Sequence, residues 1–285
     1  MQRTEKTVFR GTTDLATQSF GDPDRPVILM MMGATASMLW WPDELCELLA
    51  ASGRHVIRYD NRDTGRSATG APGEVSYTLD DLADDAIAIL DGYGVERAHL
   101  VGMSLGAMIA QLVALKAPLR VASLTAISSS RFDEDDPNLP EMDPALLEHF
   151  ATMDALDWND RQAVVDFHVE TFRISAGPKA SFDAERARRL AEREYDRAID
   201  PRSAMNHAML AGGERYRGRL GEIRAPLLVL HGRHDPILSF AHGVRLAEAV
   251  PSSRIVELEE AGHELNIRDW ERIVGEIIAH TAARG

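Results

Sequence analysis

Residues 98–116 read AHLVGMSLGAMIAQLVALK, and residues 102–106 at the centre of this stretch have the form Gly-x-Ser-x-Gly. The apolar run 98–101 predicts a short strand, and the helix formers of 107–116, apolar on more than one face, predict a buried helix. A tight strand-to-helix turn needs its glycines because it strains the backbone of Ser104 and leaves no room for neighbouring side chains. The stretch therefore predicts a turn that presents the Ser104 hydroxyl.

Two other interpretations of this stretch have to be weighed. The five residues could be a plain turn of small residues, since the chain contains 21 glycines. The apolar run could also suggest a membrane span, but His99, Ser104, Gln111 and two glycines inside it favour a buried strand and helix. The turn becomes informative only if partners for Ser104 are found elsewhere.

Length, charge and cysteine content limit the classes of protein. A chain of 285 residues can form one large α/β domain or two small ones. Its 31 basic and 45 acidic residues give a net charge of -14, which disfavours nucleic acid and membrane surfaces as partners. Cys46 is the only cysteine, so an intrachain disulfide is excluded. The first ten residues contain no apolar segment of a secretory signal, and we expect a cytoplasmic protein.

Apolar runs and helical patterns alternate along most of the chain. Strands are predicted at 7–9, 16–20, 27–32, 55–59, 98–101 and 123–128, and helices at 42–51, 78–91 and 107–116. Thr78 and Asp81 are expected to cap the second of these helices. After Pro226 the alternation resumes, with strands at 227–231 and 255–258 and helices at 241–250 and 269–282. This rhythm is typical of an α/β fold with a mostly parallel central sheet flanked by helices.

Between residues 131 and 221 the strand pattern stops. Four helices are predicted there, near 144–153, 159–174, 183–198 and 203–211. We interpret this segment as an inserted helical cap, or lid, so that 1–130 and 222–285 form the core domain and 131–221 the cap. The third cap helix is rich in Arg and Glu, and spacings such as that of Glu185 and Arg189 predict a solvated face.

Two loops that follow predicted strands supply partners for Ser104. A serine hydroxyl is a poor nucleophile at neutral pH, so it needs an imidazole, and the imidazole needs a carboxylate that fixes its tautomer. Asp235 follows the strand at 227–231, and His263 follows the strand at 255–258. Because the carboxyl ends of parallel strands meet at one edge of a sheet, we expect all three side chains there. Taken alone, Asp235 could be a turn residue and His263 an ordinary loop histidine.

An oxyanion hole needs two backbone N–H donors near the nucleophile. The residue after the nucleophile, Leu105, should supply one of them. The other should come from the loop after the strand at 27–32, where Ala34 follows Gly33 at the turn, with Thr35 as the alternative.

These motifs resemble those of the serine α/β-hydrolases over nearly the whole chain. The residues that carry the resemblance are 102–106, 59–67, 232–235 and 262–263. More narrowly, residues 32–35, 41–43 and 55–67 are similar to the aclacinomycin methylesterase family, which removes a methyl ester from an anthracycline polyketide. The resemblance implies the α/β-hydrolase fold and hydrolysis of a bulky hydrophobic methyl ester, such as a polyketide intermediate. Together with the order Ser, Asp, His along the chain, it implies a catalytic triad that works through an acyl-enzyme.

The expected partner is a small molecule, a hydrophobic ester substrate, and the protein is expected to be a monomer or homodimer. Candidate substrate-binding residues are large apolar side chains that suit a deformable pocket: Trp40, Trp41, Met103, Met142, Met205 and Met209. No cofactor is implied, because the chain has no Gly-x-x-x-x-Gly-Lys motif and residues 92–94 lack the third glycine of a dinucleotide fingerprint.

Several alternatives remain open at this stage. His231, His234, Asp235 and His263 are residue types that bind zinc, although their spacing matches no metallohydrolase motif. Ser104 argues against epoxide hydrolases and haloalkane dehalogenases, which use a carboxylate nucleophile at the same position. A cofactor-free haloperoxidase or perhydrolase, a lactonase and a carbon–carbon bond hydrolase use similar triads. A non-hydrolytic cyclase or a ligand-binding protein on the same fold is the alternative from another class.

Overall fold

An eight-stranded sheet lies at the centre of the computed structural model, which describes residues 3–177 and 182–282. The strands are β1 (Arg3–Arg10), β2 (Thr13–Phe20), β3 (Val27–Met31), β4 (His55–Tyr59), β5 (Ala98–Met103), β6 (Val121–Ile127), β7 (Leu227–Gly232) and β8 (Ser253–Leu258). Their order in the sheet is β1-β2-β4-β3-β5-β6-β7-β8. β2 pairs antiparallel with β1 and β4, and all other neighbours are parallel.

Helices follow most of the parallel strands. They are α1 (Asp43–Ala51), α2 (Leu79–Gly92), α3 (Leu105–Lys116), α4 (Pro144–Ala151), α5 (Arg161–Ser175), α6 (Ala184–Arg197), α7 (Phe240–Ala249) and α8 (Trp270–Ala282). Short 3-10 helices occur at Met38–Trp40, Pro118–Arg120, Thr152–Ala155, Pro201–Met209, Glu214–Tyr216, Leu220–Glu222 and Ile267–Asp269. The segment between β6 and β7 is helical wherever the structure describes regular elements in it.

Both faces of the sheet are covered, which agrees with the uninterrupted apolar sequence of β3. Alternate residues of β3 belong to two separate core clusters: Leu29 lies in the one that includes α2 and α3, and Ile28 in the one that includes α1 and α8. Burial of these apolar side chains is the main stabilising contribution to such a fold. The packing fixes the strand ends, and therefore the loops that follow them.

The boundaries of the elements agree with the sequence patterns in most places. The expected cap at the start of α2 is confirmed, because the Thr78 N–H donates to Asp81 Oδ2 at 3.0 Å and the Asp81 N–H donates to Thr78 Oγ1 at 3.3 Å. The fourth helix of the segment 131–221, predicted near 203–211, is a 3-10 helix at Pro201–Met209. Its Asn206 and His207 side chains bond to core loops. In the described ranges, no helix is both long and apolar enough to cross a bilayer.

Candidate active site

Ser104 occupies the sharp turn between β5 and α3 with φ 50° and ψ -121°. This is a strained conformation for a residue other than glycine. The glycines on either side are required by space: a Cβ on Gly102 would lie 2.4 Å from the Ala107 nitrogen, and one on Gly106 would lie 2.0 Å from the Met31 carbonyl oxygen. The geometry thus agrees with the steric reason for the Gly-x-Ser-x-Gly pattern.

The backbone of Ser104 is held on both sides. Its N–H donates to the Ile127 carbonyl at 3.0 Å, and its carbonyl accepts from the N–H of Ala107 at 2.9 Å. The Ser129 hydroxyl also donates to the Ser104 carbonyl, at 2.8 Å. Strain of this kind persists only where the surroundings fix it, and it concentrates at functional sites.

Asp235 and His263 are brought together by the neighbouring strands β7 and β8. His263 Nδ1 lies 2.8 Å from Asp235 Oδ2. The second oxygen, Oδ1, accepts from the N–H groups of Ile237 and Leu238 at 2.9 and 2.8 Å. Burial by itself would raise the pKa of Asp235, but His263 and His231 beside it hold that pKa well below its usual range. An ionised Asp235 keeps the proton of His263 on Nδ1 and leaves the lone pair on Nε2.

No hydrogen bond joins the Ser104 hydroxyl to the His263 ring in the part of the chain that the structure describes. Such contacts are often long without substrate and shorten when it binds. The loop of His263 is attached to the helical segment between β6 and β7, because the His263 N–H donates to the carbonyl of Ser175 at the end of α5, at 2.9 Å. A movement of α5 would therefore shift the imidazole.

The turn after β3 packs directly against Ser104. A Cβ on Gly33 would lie 3.2 Å from the Ser104 Cβ and 3.8 Å from its Oγ. The N–H of Thr35 is already used, since it donates to His207 Nδ1 at 3.0 Å. Over residues 3–177 and 182–282, by contrast, the N–H groups of Ala34 and Leu105 bond to no protein acceptor. These two groups remain available to an oxyanion.

His231, one of the candidate zinc ligands, is completely buried and bonded within the protein. Its Nε2 lies 2.7 Å from the Leu238 carbonyl and 3.4 Å from Asp235 Oδ2. Among the described side chains, no group of three or more His, Cys, Asp or Glu is arranged to hold a metal ion. Asp235 instead accepts from two backbone N–H groups and contacts two imidazoles.

Comparisons with known proteins agree with this geometry. The sequence model of the alpha/beta hydrolase fold matches residues 26–269. The chain belongs to the α/β-hydrolase family. It is 34% identical to the rhodomycin D methylesterase DauP of Streptomyces sp. strain C5, over 97% of both chains. It is also 34% identical to the rhodomycin D methylesterase DnrP of Streptomyces peucetius, over 94% of this chain and 95% of that protein.

The solved structure of a 2-hydroxy-6-oxo-6-phenylhexa-2,4-dienoate hydrolase from Rhodococcus sp. strain RHA1 has the same fold. It superposes with a TM-score of 0.77 over 99% of both chains, at 20% identity. The predicted α/β-hydrolase fold, with its mostly parallel sheet, is therefore confirmed. The predicted enzyme class, a hydrolase, is confirmed by the family and by the named relatives. The two methylesterases also confirm the predicted likeness to the aclacinomycin methylesterase family.

The candidate substrate-binding residues of this α/β-hydrolase lie in different surroundings. Trp40 is partly buried and packs on Phe172, with ring centroids 4.6 Å apart. Met103 and Trp41 belong to the core cluster that includes α1 and α8, and Trp41 is fully buried. Met142 and Met205 are partly buried, whereas Met209 is 51% exposed. These positions do not support Trp41 or Met209 as lining residues, because no part of the Trp41 side chain is accessible and half of Met209 is exposed to solvent.

Two residues of the helical segment between β6 and β7 contact the turn after β3 and were not predicted from the sequence. Glu194 in α6 accepts from the N–H and hydroxyl of Ser37 at 2.8 and 2.6 Å. Burial raises the pKa of Glu194 to about 7. The other residue is His207, which accepts from Thr35. No motif identifies either residue, and α6 was expected to be a solvated charged helix.

Proposed function

We propose that the chain is a carboxylic ester hydrolase in which Ser104, His263 and Asp235 form a catalytic triad. Ser104 Oγ attacks the ester carbonyl while Nε2 of His263 takes the hydroxyl proton. The N–H groups of Ala34 and Leu105 hold the oxyanion that develops on the carbonyl oxygen. His263 then gives its proton to the leaving alcohol, which leaves an acyl group on Ser104.

Hydrolysis of this acyl-enzyme uses the same groups. His263 removes a proton from water, the resulting hydroxide attacks the acyl carbonyl, and the proton returns to Ser104 as the acid leaves. Asp235 stays ionised throughout and stabilises the imidazolium that forms in each half of the reaction. The lowered pKa of Asp235 supports this role.

The strained backbone of Ser104 is the observation that carries the proposal. Its φ of 50° is held by hydrogen bonds of its backbone with Ile127 of β6 and with the Ser129 hydroxyl, and by two glycines that admit no side chain. A plain turn of small residues needs no such conformation, whereas a serine exposed at the top of a sheet does. The N–H of Leu105 next to it bonds to no described acceptor, as an oxyanion donor requires.

For the substrate we propose a bulky hydrophobic methyl ester. The two Streptomyces relatives are named as methylesterases of rhodomycin D. The aromatic pair Trp40 and Phe172, beside the turn that carries Ala34, suits a large apolar acid group. We also propose that residues 131–221 act as the cap over this site, because Ser175, Glu194 and His207 bond to its loops.

A panel of p-nitrophenyl esters, aromatic methyl esters and lactones tests the proposal. The wild type should hydrolyse esters, prefer bulky apolar acids and lose activity with a serine-directed inhibitor. Ser104→Ala should lower kcat by roughly 10⁴-fold or more and leave the melting temperature unchanged. Turnover of lactones alone would instead indicate a lactonase, and loss of activity with a chelator would indicate a metal site. Ester turnover that survives Ser104→Ala would refute the triad.

A further inference from the structure

The turn after β3 is held in place by side chains of the cap. Thr35 has φ 62°, a left-handed conformation that a β-branched residue rarely adopts. Its N–H donates to Nδ1 of His207 at 3.0 Å, across 172 positions of sequence. A strained residue keeps its conformation only where contacts fix it, and His207 supplies such a contact.

A second hydrogen bond fixes His207 in the tautomer that Thr35 requires. Its Nε2 lies 2.8 Å from the carbonyl oxygen of Arg62, which can only accept. Nε2 therefore carries the proton, and Nδ1 keeps the lone pair that receives the Thr35 N–H. Burial lowers the pKa of His207, although the bond to Arg62 and the nearby Asp63 act in the opposite direction. The ring is thus a neutral acceptor aimed at the turn.

The next residues of the turn are held in a similar way. The N–H of Ser37 donates to Glu194 Oε1 at 2.8 Å. The N–H of Met38 donates to Asp60 Oδ1 at 2.9 Å, and the other oxygen of Asp60 pairs with Arg197 of α6 at 2.5 Å. The N–H groups of Thr35, Ser37 and Met38, which follow Ala34 in the turn, are therefore bonded to side chains outside the turn. Two of the acceptors, His207 and Glu194, belong to the proposed cap.

We propose that His207 is a positioning residue of the oxyanion hole: by holding the Thr35 N–H, it aims the adjacent N–H of Ala34 at the ester carbonyl. The inference rests on the proposed function. An oxyanion donor has to lie about 2.7–3.1 Å from the developing charge, and a misplacement of about 1 Å can cost roughly a hundredfold in rate. His207 acts through Thr35 and touches no reacting atom.

Two isosteric variants separate the bonds of His207. In His207→Asn, the amide oxygen takes the place of Nδ1 and can still accept from Thr35. In His207→Gln, the amide nitrogen takes the place of Nε2 and can still donate to the Arg62 carbonyl, but no acceptor takes the place of Nδ1, so the bond from Thr35 is lost. With p-nitrophenyl butyrate we expect His207→Gln to lower kcat roughly ten- to a hundredfold, with KM within about threefold of wild type. His207→Asn should retain most of kcat.

Asn206 provides the matched control. It fastens the same 3-10 helix to the core through bonds to Asp63 at 2.9 Å, Ala71 at 3.1 Å and Gly73 at 2.8 Å, without touching the turn after β3. Asn206→Ala should lower the melting temperature but keep kcat near the wild-type value. The proposal is overturned if His207→Gln keeps full kcat, if His207→Asn loses as much as His207→Gln, or if Asn206→Ala loses kcat to the same extent.

A measurement on the wild type covers the case in which the variants do not fold. In protein labelled with ¹⁵N-histidine, NMR at pH 7 should show His207 neutral with its proton on Nε2, and a scalar coupling from Nδ1 to the Thr35 amide. A charged ring or a proton on Nδ1 would overturn the proposal. Failure of the proposed function gives a different result, because wild type would then lack ester turnover or Ser104→Ala would retain it.

Discussion

The two carboxylate oxygens of Asp235 have different partners. Its Oδ1 accepts from the N–H groups of Ile237 and Leu238 at 2.9 and 2.8 Å, which fixes the carboxylate on its loop. Its Oδ2 lies 2.8 Å from His263 Nδ1. A substitution that keeps the bonds from Ile237 and Leu238 but changes the contact with His263 separates the proposed catalytic role of Asp235 from its structural role.

Asp235→Asn is that substitution. The amide oxygen can keep both backbone bonds, while the amide NH₂ faces His263 and forces its proton onto Nε2, the atom that has to act as the base. We expect kcat for ester hydrolysis to fall by roughly 10³- to 10⁴-fold with little change in melting temperature. Steady-state kinetics and thermal unfolding measure the two quantities. A fall in kcat below tenfold would contradict the assigned role of Asp235.

The raised pKa of Glu194 predicts how the free energy of unfolding depends on pH. Burial raises its pKa from the ordinary 4.5 to about 7 in the folded protein, so the folded state binds this proton more tightly than the unfolded chain does. The contribution of protonated Glu194 to the free energy of unfolding is therefore fully present below about pH 4.5 and is lost as the pH rises through about 7. Between these two pH values, the free energy of unfolding falls by roughly 1.4 kcal/mol per pH unit.

The comparison of wild type with Glu194→Gln isolates this effect, since Gln does not titrate. Urea unfolding at pH 5 and pH 8 should show a larger loss of unfolding free energy in wild type than in the variant. The extra loss in wild type should amount to a few kcal/mol, because about two pH units between pH 5 and the raised pKa of about 7 contribute to it. Equal losses in both proteins would show that Glu194 does not titrate in this range.

At the scale of elements, β3, β5 and α3 are packed so closely that two glycines become obligatory. A Cβ on Gly106 would lie 2.0 Å from the Met31 carbonyl oxygen, which is backbone and cannot move aside. In α8, by contrast, a Cβ on Gly275 would meet nothing within 4 Å. The same chemical change therefore has opposite consequences in two helices of one molecule.

Gly106→Ala and Gly275→Ala test this contrast. We expect Gly106→Ala to destabilise the fold by roughly 3 kcal/mol or more, because the backbone of β3 has to shift. Gly275→Ala should stabilise it by about 0.5–1 kcal/mol, since alanine replaces glycine in an exposed helix interior. Chemical denaturation measures both free energies of unfolding. A Gly106→Ala variant as stable as wild type would contradict the close approach of Gly106 to the Met31 carbonyl oxygen.

At the scale of the whole molecule, the sheet was predictable because strands carry local patterns. An uninterrupted apolar run identifies β3, runs interrupted by single polar residues identify β4, β5 and β7, and the parallel order places the loops of Asp235 and His263 side by side at one edge. The contacts of the cap were not predictable in this way. His207 and Thr35 are 172 residues apart and share no motif, and Glu194 lies in a helix whose charges indicate a solvated face.

The candidate site likewise divides into parts that the sequence does and does not specify. Ser104 and its flanking glycines are specified locally, since the steric limits of the turn act on adjacent residues. The contact that holds the turn beside Ala34 is not specified locally, because the N–H of Thr35 donates to His207, which lies 172 residues further along the chain. Trp41 looks like a lining residue in sequence, but packing places it in the core.

The central claim is that side chains at 104, 235 and 263, which follow three different strands, act together to make one hydroxyl reactive. The most direct test is mass spectrometry of the protein after brief exposure to a fluorophosphonate. We predict modification of the peptide that contains Ser104 in wild type, and modification at least about a hundredfold slower in His263→Ala. Label on another residue, or equal rates in the two proteins, would contradict the account.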